Sequence, residues 1–260
     1  MAFSDTQRRD LLLAVTEIAD RAGDVIMEVY ETDFDVRQKD DASPVTEADE
    51  RAESLILPAL RELLPGIPAI CEEAVARNES EMLDGNTFWL VDPVDGTKEF
   101  LRRSGEFTVN IALIEDGIPT LGIVTAPALK KSYRAYGPGT AEKKTGNAEW
   151  SPISARDTPI AGAVVVSSRS HGDLDKLEAL MTGAAVQGHR RAGSSLKFCL
   201  VAEAEADFYP RYGPTCEWDT AAGHAVLVGA GGSVRLTDGM DLSYAKSGWR
   251  NPEFIARGLE

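Results

Sequence analysis

Two aspartates end an apolar run in Phe88-Trp89-Leu90-Val91-Asp92-Pro93-Val94-Asp95. The apolar residues predict a buried strand, and Pro93 and Gly96 predict a sharp turn at its end. Two carboxylates on such a turn are placed to share a hard cation through oxygen ligands. Asp-Pro and Asp-Gly pairs also occur in ordinary turns that carry no chemistry. Taken alone, this stretch therefore leaves a cation site and a simple turn as alternatives.

Further acids lie at the ends of other predicted elements. Glu72 follows a short apolar strand, Asp49 lies in the first turn of a helix predicted from Glu47 to Leu64, and Asp219 begins a helix rich in small residues. Each position has an ordinary explanation: a solvated surface acid for Glu72, a capping box with Thr46 for Asp49, and an N-cap for Asp219. Residue by residue, the structural explanation stays open beside the functional one.

The elements that must position these acids alternate between helical and strand patterns. A long amphipathic helix is predicted from Asp5 to Tyr30, and a further helix from Asp173 to Met181. Another helix is predicted to begin within Gly193-Ser194-Ser195-Leu196-Lys197-Phe198, where Ser194 is a candidate cap and helix N-termini bind anions. The polar segment from Ala141 to Pro159 reads as a loop and marks the best internal boundary. The pattern indicates a mixed α and β protein.

Composition narrows the class of protein. The 260 residues include 42 acids and 27 Lys and Arg residues, a formal charge of −15, which argues against general nucleic-acid binding. Three cysteines without CxxC spacing favour reduced thiols in a cytosolic protein. The polar N-terminus does not resemble a secretory signal, and no stretch reaches the apolar length that spans a bilayer.

Together, Glu72, the run from Asp92 to Thr97 and the run from Trp218 to Gly223 match the two signature motifs of the inositol monophosphatase superfamily. The chain resembles in particular the bacterial 3'(2'),5'-bisphosphate nucleotidases of the CysQ type. That second resemblance rests on further motifs: Asp92 to Phe100, Gly105 to Ile114, Ser168 to His171, Gly193 to Glu203 and Trp218 to Val226. The superfamily implies an α+β fold, a five-layered α/β/α/β/α sandwich.

The resemblance also implies roles for individual residues. One Mg²⁺ would be held by Glu72, Asp92 and the Val94 carbonyl, and a second by Asp92, Asp95 and Asp219; two or three ions are expected, with Li⁺ inhibitory. Asp49 and Thr97, with Glu72 on the metal, would activate the attacking water. The residues expected to contact substrate are Asp95, Gly96, Thr97, Ser168, Arg169, His171, Ser195, Lys197 and Asp219. Cys71 departs from the Ser or Gly that is common before the acid pair, which implies little beyond a liability to oxidation.

The implied reaction is removal of the 3'-phosphate from adenosine 3',5'-bisphosphate, giving AMP and phosphate and supporting sulfur assimilation, with phosphosulfate as a further substrate. An inositol or fructose phosphatase is the nearest alternative, and a non-catalytic metal- or nucleotide-binding protein is the alternative from another class. We expect an N-terminal lobe over 1–150 with most metal ligands and a C-terminal lobe over 151–260 with Asp219, forming one compact unit. We also expect a cytoplasmic monomer or homodimer that binds a small nucleotide and no nucleic acid. Peripheral attachment to the inner membrane is compatible with the family, but no segment supports it.

Overall fold

The computed structural model describes residues 3–33, 36–38, 44–168 and 185–259. Its helices are α1 (Asp5–Tyr30), α2 (Glu47–Leu63), α3 (Glu72–Ala76), α4 (Thr97–Leu101), α5 (Leu196–Ala202) and α6 (Ala221–Gly229), with 3₁₀ turns at Pro127–Leu129 and Ser247–Trp249. Its strands are β1 (Val36–Gln38), β2 (Pro44–Thr46), β3 (Ala69–Cys71), β4 (Thr87–Asp95), β5 (Thr108–Glu115), β6 (Ile118–Ala126), β7 (Lys131–Ala135), β8 (Glu142–Thr145), β9 (Ser151–Pro152), β10 (Ala163–Ser167), β11 (Val186–Arg191), β12 (Phe208–Arg211), β13 (Ser233–Leu236) and β14 (Phe254–Arg257).

The larger sheet contains seven strands in the sequential order β3 to β9. Only β3 and β4 pair in parallel; the other neighbours are antiparallel. Alternate residues of its central strands enter two different hydrophobic cores, one with Trp89 and Val91 and the other with Phe88 and Leu90. Because successive side chains of a strand point to opposite faces, both faces of this sheet are covered.

Helices α1 and α2 cover one face of the seven-stranded sheet. Both begin with a capping box, formed by Ser4 with Gln7 in α1 and by Thr46 with Asp49 in α2. These boxes satisfy backbone N–H groups that have no partner within the helix. The helix predicted from Asp5 to Tyr30 is confirmed over its full length, and the second helix ends one residue earlier than predicted.

The other face packs against α6, which with α5 separates the two sheets. The smaller sheet has five strands in the order β11-β10-β12-β14-β13, parallel over the first three and antiparallel over the last pairs. The described elements thus form four alternating layers, and the predicted α+β class is confirmed. The helix predicted from Asp173 to Met181 lies outside the described residues.

Four local predictions need correction. The segment from Ala141 to Pro159, read as a loop, contains the short strands β8 and β9, which pair at the edge of the larger sheet and therefore stay polar. Strand β4 does not end at Asp92 but continues to Asp95 across an irregularity in its pairing with β5. The N-cap of α6 is Thr220 and not Asp219, and the N-cap of α5 is Ser195 and not Ser194.

The contact between β6 and α6 depends on Gly122. A Cβ at this position would lie 2.7 Å from both the Ala222 carbonyl oxygen and the Ala225 Cβ, and backbone atoms cannot move aside as a flexible side chain can. This close approach fixes α6, and with it the residues that precede the helix, against the larger sheet.

We expect Gly122→Ala to lower the free energy of unfolding by about 1–3 kcal/mol, because the added methyl group overpacks the interface. Urea unfolding measures this change. Gly188→Ala in β11 is the matched control, since its Cβ would meet nothing closer than 3.6 Å. Equal stability of the two variants would contradict the account of the β6–α6 contact.

Candidate active site

Three acids from separate parts of the chain meet at one point. Glu72 is the first residue of α3, Asp92 lies in β4, and Asp219 precedes α6. One carboxylate oxygen from each lies within 4.8 Å of the other two. Asp92 is buried, whereas Glu72 and Asp219 are partly exposed. The fold therefore gathers acids that are separated by more than a hundred residues of sequence.

The irregularity in β4 shapes the part of the larger sheet that carries Asp92 and Asp95. Asp92 pairs with Asn110 and Asp95 pairs with Thr108, so β4 has one residue more than β5 over this stretch. Such a bulge redirects side chains at the end of a strand, and it accommodates Pro93, which has no N–H to donate. Asp92 Oδ1 accepts the Val94 N–H at 3.1 Å, which folds the carboxylate back over the bulge.

Gly96 and Thr97 follow the bulge and begin the short helix α4. Gly96 has a φ of 91°, a left-handed conformation that favours glycine, and a Cβ there would lie 3.3 Å from the Glu106 carbonyl oxygen. The Thr97 hydroxyl donates to the Val94 carbonyl oxygen at 3.4 Å. The carbonyl predicted to be a metal ligand thus lies next to the hydroxyl predicted to help activate water.

On the opposite side, Asp219 is held in a loop that buried Glu217 and partly exposed Asn251 support. The Glu217 carboxylate accepts the backbone N–H groups of Ala245 and Lys246 at 2.8 and 2.9 Å. The Asn251 amide donates to the Cys216 carbonyl oxygen at 2.8 Å. Asp219 Oδ2 itself accepts the Cys216 N–H at 2.8 Å, so one of its oxygens is fixed by the loop.

Asp49 lies in the first turn of α2 and is buried. Its Oδ2 accepts the Thr46 N–H at 2.8 Å and the Thr46 hydroxyl at 2.6 Å, as the capping box predicts. Strand β2, which ends at Thr46, packs against α4. Cys71 is fully buried before Glu72, and burial raises the pKa of its thiol, which disfavours the reactive thiolate and argues against an oxidation liability.

A cleft beside the acid cluster brings several predicted substrate contacts together. Among the predicted residues, Asp95, Gly96, Ser168, Lys197 and Asp219 line it. Ser195 is buried and is not among the lining residues, and Arg169 and His171 lie outside the described residues. The predicted substrate contacts did not include the other residues that line the cleft, namely Lys98, Glu99, Ser194, Tyr209, Arg211, Thr215 and Thr220.

Arg211 and Ser194 could have been found from weak signals only. Arg211 ends β12 directly after Pro210, a position read as a strand edge, and its Nε has no hydrogen-bond partner among the described residues. Ser194 has a φ of 44°, so it lies outside α5 and turns towards the cleft, one residue before the position chosen from the sequence.

The charges in the cleft perturb one another. Burial raises the pKa of Asp95 to about 6, against the lowering effects of Lys197 and the Asn110 amide. Burial, followed by the charges of Asp95 and Glu72, raises the pKa of Asp219 well above its ordinary value. Burial also lowers the pKa of the Lys197 ammonium to about 8. The protein thus holds these acids where their ionised forms are costly without further positive charge.

The donor set fits a hard divalent cation. All the clustered side chains offer carboxylate oxygens, the ligands that Mg²⁺ prefers, and the cluster includes no nitrogen or sulfur ligand that would favour zinc. The remaining positions of an octahedron would be available to carbonyl oxygen, water and phosphate. The residues present can therefore hold a metal, with Glu72, Asp92 and Asp219 as the side chains that the structure brings closest.

Comparison with known proteins identifies the family. The model of the inositol monophosphatase family matches residues 7–256. The chain belongs to this family. The predicted superfamily is therefore confirmed. Separately, no helix in the described parts of the chain is long and apolar enough to cross a membrane.

Relatives include proteins named 3'(2'),5'-bisphosphate nucleotidase CysQ. The one from Salmonella typhimurium is 47% identical over 250 residues, covering 94% of this chain and 98% of its own. The one from Escherichia coli K12 is 46% identical over 252 residues, with the same coverage. The crystal structure of CysQ from Bacteroides thetaiotaomicron is 34% identical with a TM-score of 0.79, covering 96% of this chain and 98% of that one. The predicted likeness to the CysQ branch is confirmed.

We expect the contribution of Asp95 to the stability of the metal-free protein, measured as the Tm difference between the wild type and Asp95→Asn, to fall as pH rises from about 4 to about 6. The unfolded pKa of Asp is about 3.9, whereas burial raises that of folded Asp95 to about 6, so the folded state binds more protons in this window. Mg²⁺ requires ionised carboxylates, so its stabilising effect should grow over the same window. Thermal unfolding with and without Mg²⁺ across this pH range measures both effects.

The control is Ca²⁺-free and Mg²⁺-free protein in the presence of a chelator, compared at matched ionic strength. An increase in Tm on adding Mg²⁺ that is the same at about pH 4 as at about pH 7 would contradict metal binding by these carboxylates.

Proposed function

We propose that this protein is a Mg²⁺-dependent phosphatase that removes the 3'-phosphate from adenosine 3',5'-bisphosphate to give AMP and phosphate. The observation that carries the proposal is the meeting of Glu72, Asp92 and Asp219 beside a cleft that also contains Lys98, Lys197 and Arg211. The names of relatives that are 46% and 47% identical point to the same activity. Hydrolysis of the phosphosulfate analogue is a further part of the proposal.

The acid cluster and the cationic residues would bind different phosphates of the substrate. A bisphosphate carries two strongly negative groups, and a carboxylate cluster cannot bind either without a cation of its own. When bound, Mg²⁺ would neutralise charge on the scissile phosphate and activate water for attack on phosphorus. The second phosphate would then meet Lys197 and Arg211, and the guanidinium of Arg211 offers planar donors suited to phosphate oxygens.

Residues around the acid cluster would orient the reacting groups. The amides of Gly96 and Thr97 would donate to phosphate oxygens, and Asp49 with Thr97 would orient and deprotonate the attacking water. Glu72, Asp92, Asp95, Asp219 and the Val94 carbonyl would hold the metal. These roles come from the family resemblance, and the proximity of Thr97 to Val94 supports them.

Phosphate release from three substrates tests the proposal. We expect fast release from adenosine 3',5'-bisphosphate with Mg²⁺, with AMP as the nucleotide product, and slow release from inositol 1-phosphate and fructose 1,6-bisphosphate, because these lack the nucleotide. Added Li⁺ should inhibit the reaction. Asp92→Asn is the matched control. It keeps the shape of the side chain but removes the negative charge that Asp92 contributes to the cluster with Glu72 and Asp219.

Each alternative gives a different result in this assay. Faster phosphate release from inositol 1-phosphate or fructose 1,6-bisphosphate than from the nucleotide would favour an inositol or sugar phosphatase. Binding of the nucleotide without any phosphate release would favour a non-catalytic binding protein. Full activity in Asp92→Asn would contradict the metal assignment itself.

A further inference from the structure

A continuous chain of hydrogen bonds links Asp95, on the larger sheet, to the loop that carries Asp219. Its two central residues are Asn110 in β5 and Ser195 before α5, and we call this chain the Asn110–Ser195 bridge. Both residues are 1% exposed. The bridge therefore lies beneath the cleft and connects ligands that the two halves of the chain supply.

The bridge is made of four hydrogen bonds. The Ser195 N–H donates to Asp95 Oδ2 at 2.7 Å, and the Asn110 amide donates to the same oxygen at 3.2 Å. The Asn110 amide also donates to Ser195 Oγ at 3.0 Å. The Ser195 hydroxyl then donates to the Asp219 carbonyl oxygen at 2.6 Å. Every link is buried or partly buried, where hydrogen bonds are electrostatically stronger than in water.

Thr108 fixes the orientation of the Asn110 amide. Its hydroxyl donates to Asn110 Oδ1 at 3.0 Å, so the oxygen end of the amide is already used. The reversed amide would place an oxygen against the Asp95 carboxylate, which cannot donate when ionised. The amide therefore presents its NH₂ group to Asp95 and Ser195.

The bridge determines which oxygen of the Asp95 carboxylate is hydrogen-bonded to the protein. Asp95 Oδ2 accepts both N–H bonds of the bridge, and Asp95 Oδ1 receives no hydrogen bond from the described residues. Asp219 is arranged in the same way, with Oδ2 fixed by the Cys216 N–H. Each of these two acids, both of which line the cleft, thus has one oxygen fixed by hydrogen bonds from the protein.

The hydrogen-bonding capacity of Ser195 argues against direct contact with substrate. A serine hydroxyl has one proton to donate, and Ser195 gives it to the Asp219 carbonyl oxygen. A phosphate oxygen needs a donor, so it could bind this hydroxyl only after the bond to Asp219 had broken. Ser194 lines the cleft, and its Oγ lies 3.1 Å from the Thr108 hydroxyl.

We propose that Asn110 and Ser195 are positioning residues that set the orientation and separation of Asp95 and Asp219, and thereby the affinity for metal. This inference rests on the proposed function only in taking these acids as metal ligands. In this proposal Ser195 connects Asp95 to the Asp219 loop and does not contact the nucleotide.

Ser195→Ala tests the proposal in the full-length protein. We expect it to weaken Mg²⁺ binding by substrate-free protein about 10-fold, because residues that orient metal ligands typically contribute 10- to 100-fold to metal affinity. Isothermal titration calorimetry measures this change. The KM for adenosine 3',5'-bisphosphate at saturating Mg²⁺ should stay that of the wild type. Asn110→Leu is the second variant and should also weaken Mg²⁺ binding, since it removes the NH₂ donor beside Asp95 without adding a charge.

Thr16→Val is the matched control, because it also removes a buried hydroxyl that donates within the protein, here to the Leu12 carbonyl oxygen. It should lower Tm and leave Mg²⁺ affinity unchanged. Wild-type Mg²⁺ affinity in both bridge variants, or a raised KM in Ser195→Ala with unchanged Mg²⁺ affinity, would overturn the proposal. Weakened Mg²⁺ binding in variants of a protein that releases no phosphate from the nucleotide would support the bridge and contradict only the proposed function.

Discussion

Repulsion between carboxylates is the constraint on which this site depends. Two unit charges 4.8 Å apart, the upper limit for the oxygens of Glu72, Asp92 and Asp219, repel by about 3.5 kcal/mol at an effective dielectric constant of about 20. Bringing three ionised acids to that distance is therefore costly without added positive charge. Burial, reinforced by the charges of neighbouring acids, raises the pKa values of Asp95 and Asp219 in the metal-free protein. A bound divalent cation would remove the cost and turn the repulsion into affinity.

The fold holds the acids together against this repulsion by supplying them from rigid and separate elements. The bulge in β4 fixes Asp92 and Asp95, the start of α3 fixes Glu72, and the loop supported by Glu217 and Asn251 fixes Asp219. Close packing of α6 on β6 joins the Asp219 loop to the larger sheet, and the Asn110–Ser195 bridge joins the ligands directly. The grouping of these acids therefore depends on the packing between the sheets.

Local signals in the sequence predicted the parts of the structure that depend on neighbouring residues. The capping box of Thr46 with Asp49 follows from spacing alone, as do the acids at the ends of apolar strands. Contacts between distant segments were not readable: the sequence does not show that Ser194 rather than Ser195 turns to the cleft, or that Arg211 reaches it. Strands β8 and β9 were missed because their polar residues are held by pairing and not by burial. The division into lobes at about residue 150 stays a prediction.

Anomalous scattering from crystals soaked in Mn²⁺ would show whether the three acids bind metal, because it locates the metal without relying on activity. We expect difference-density peaks in contact with Glu72, Asp92 and Asp219, with Asp92 shared between two ions if a second site fills. Crystals that bind Mn²⁺ only at other carboxylates, or that bind none, would contradict the assignment of these three acids as a metal site.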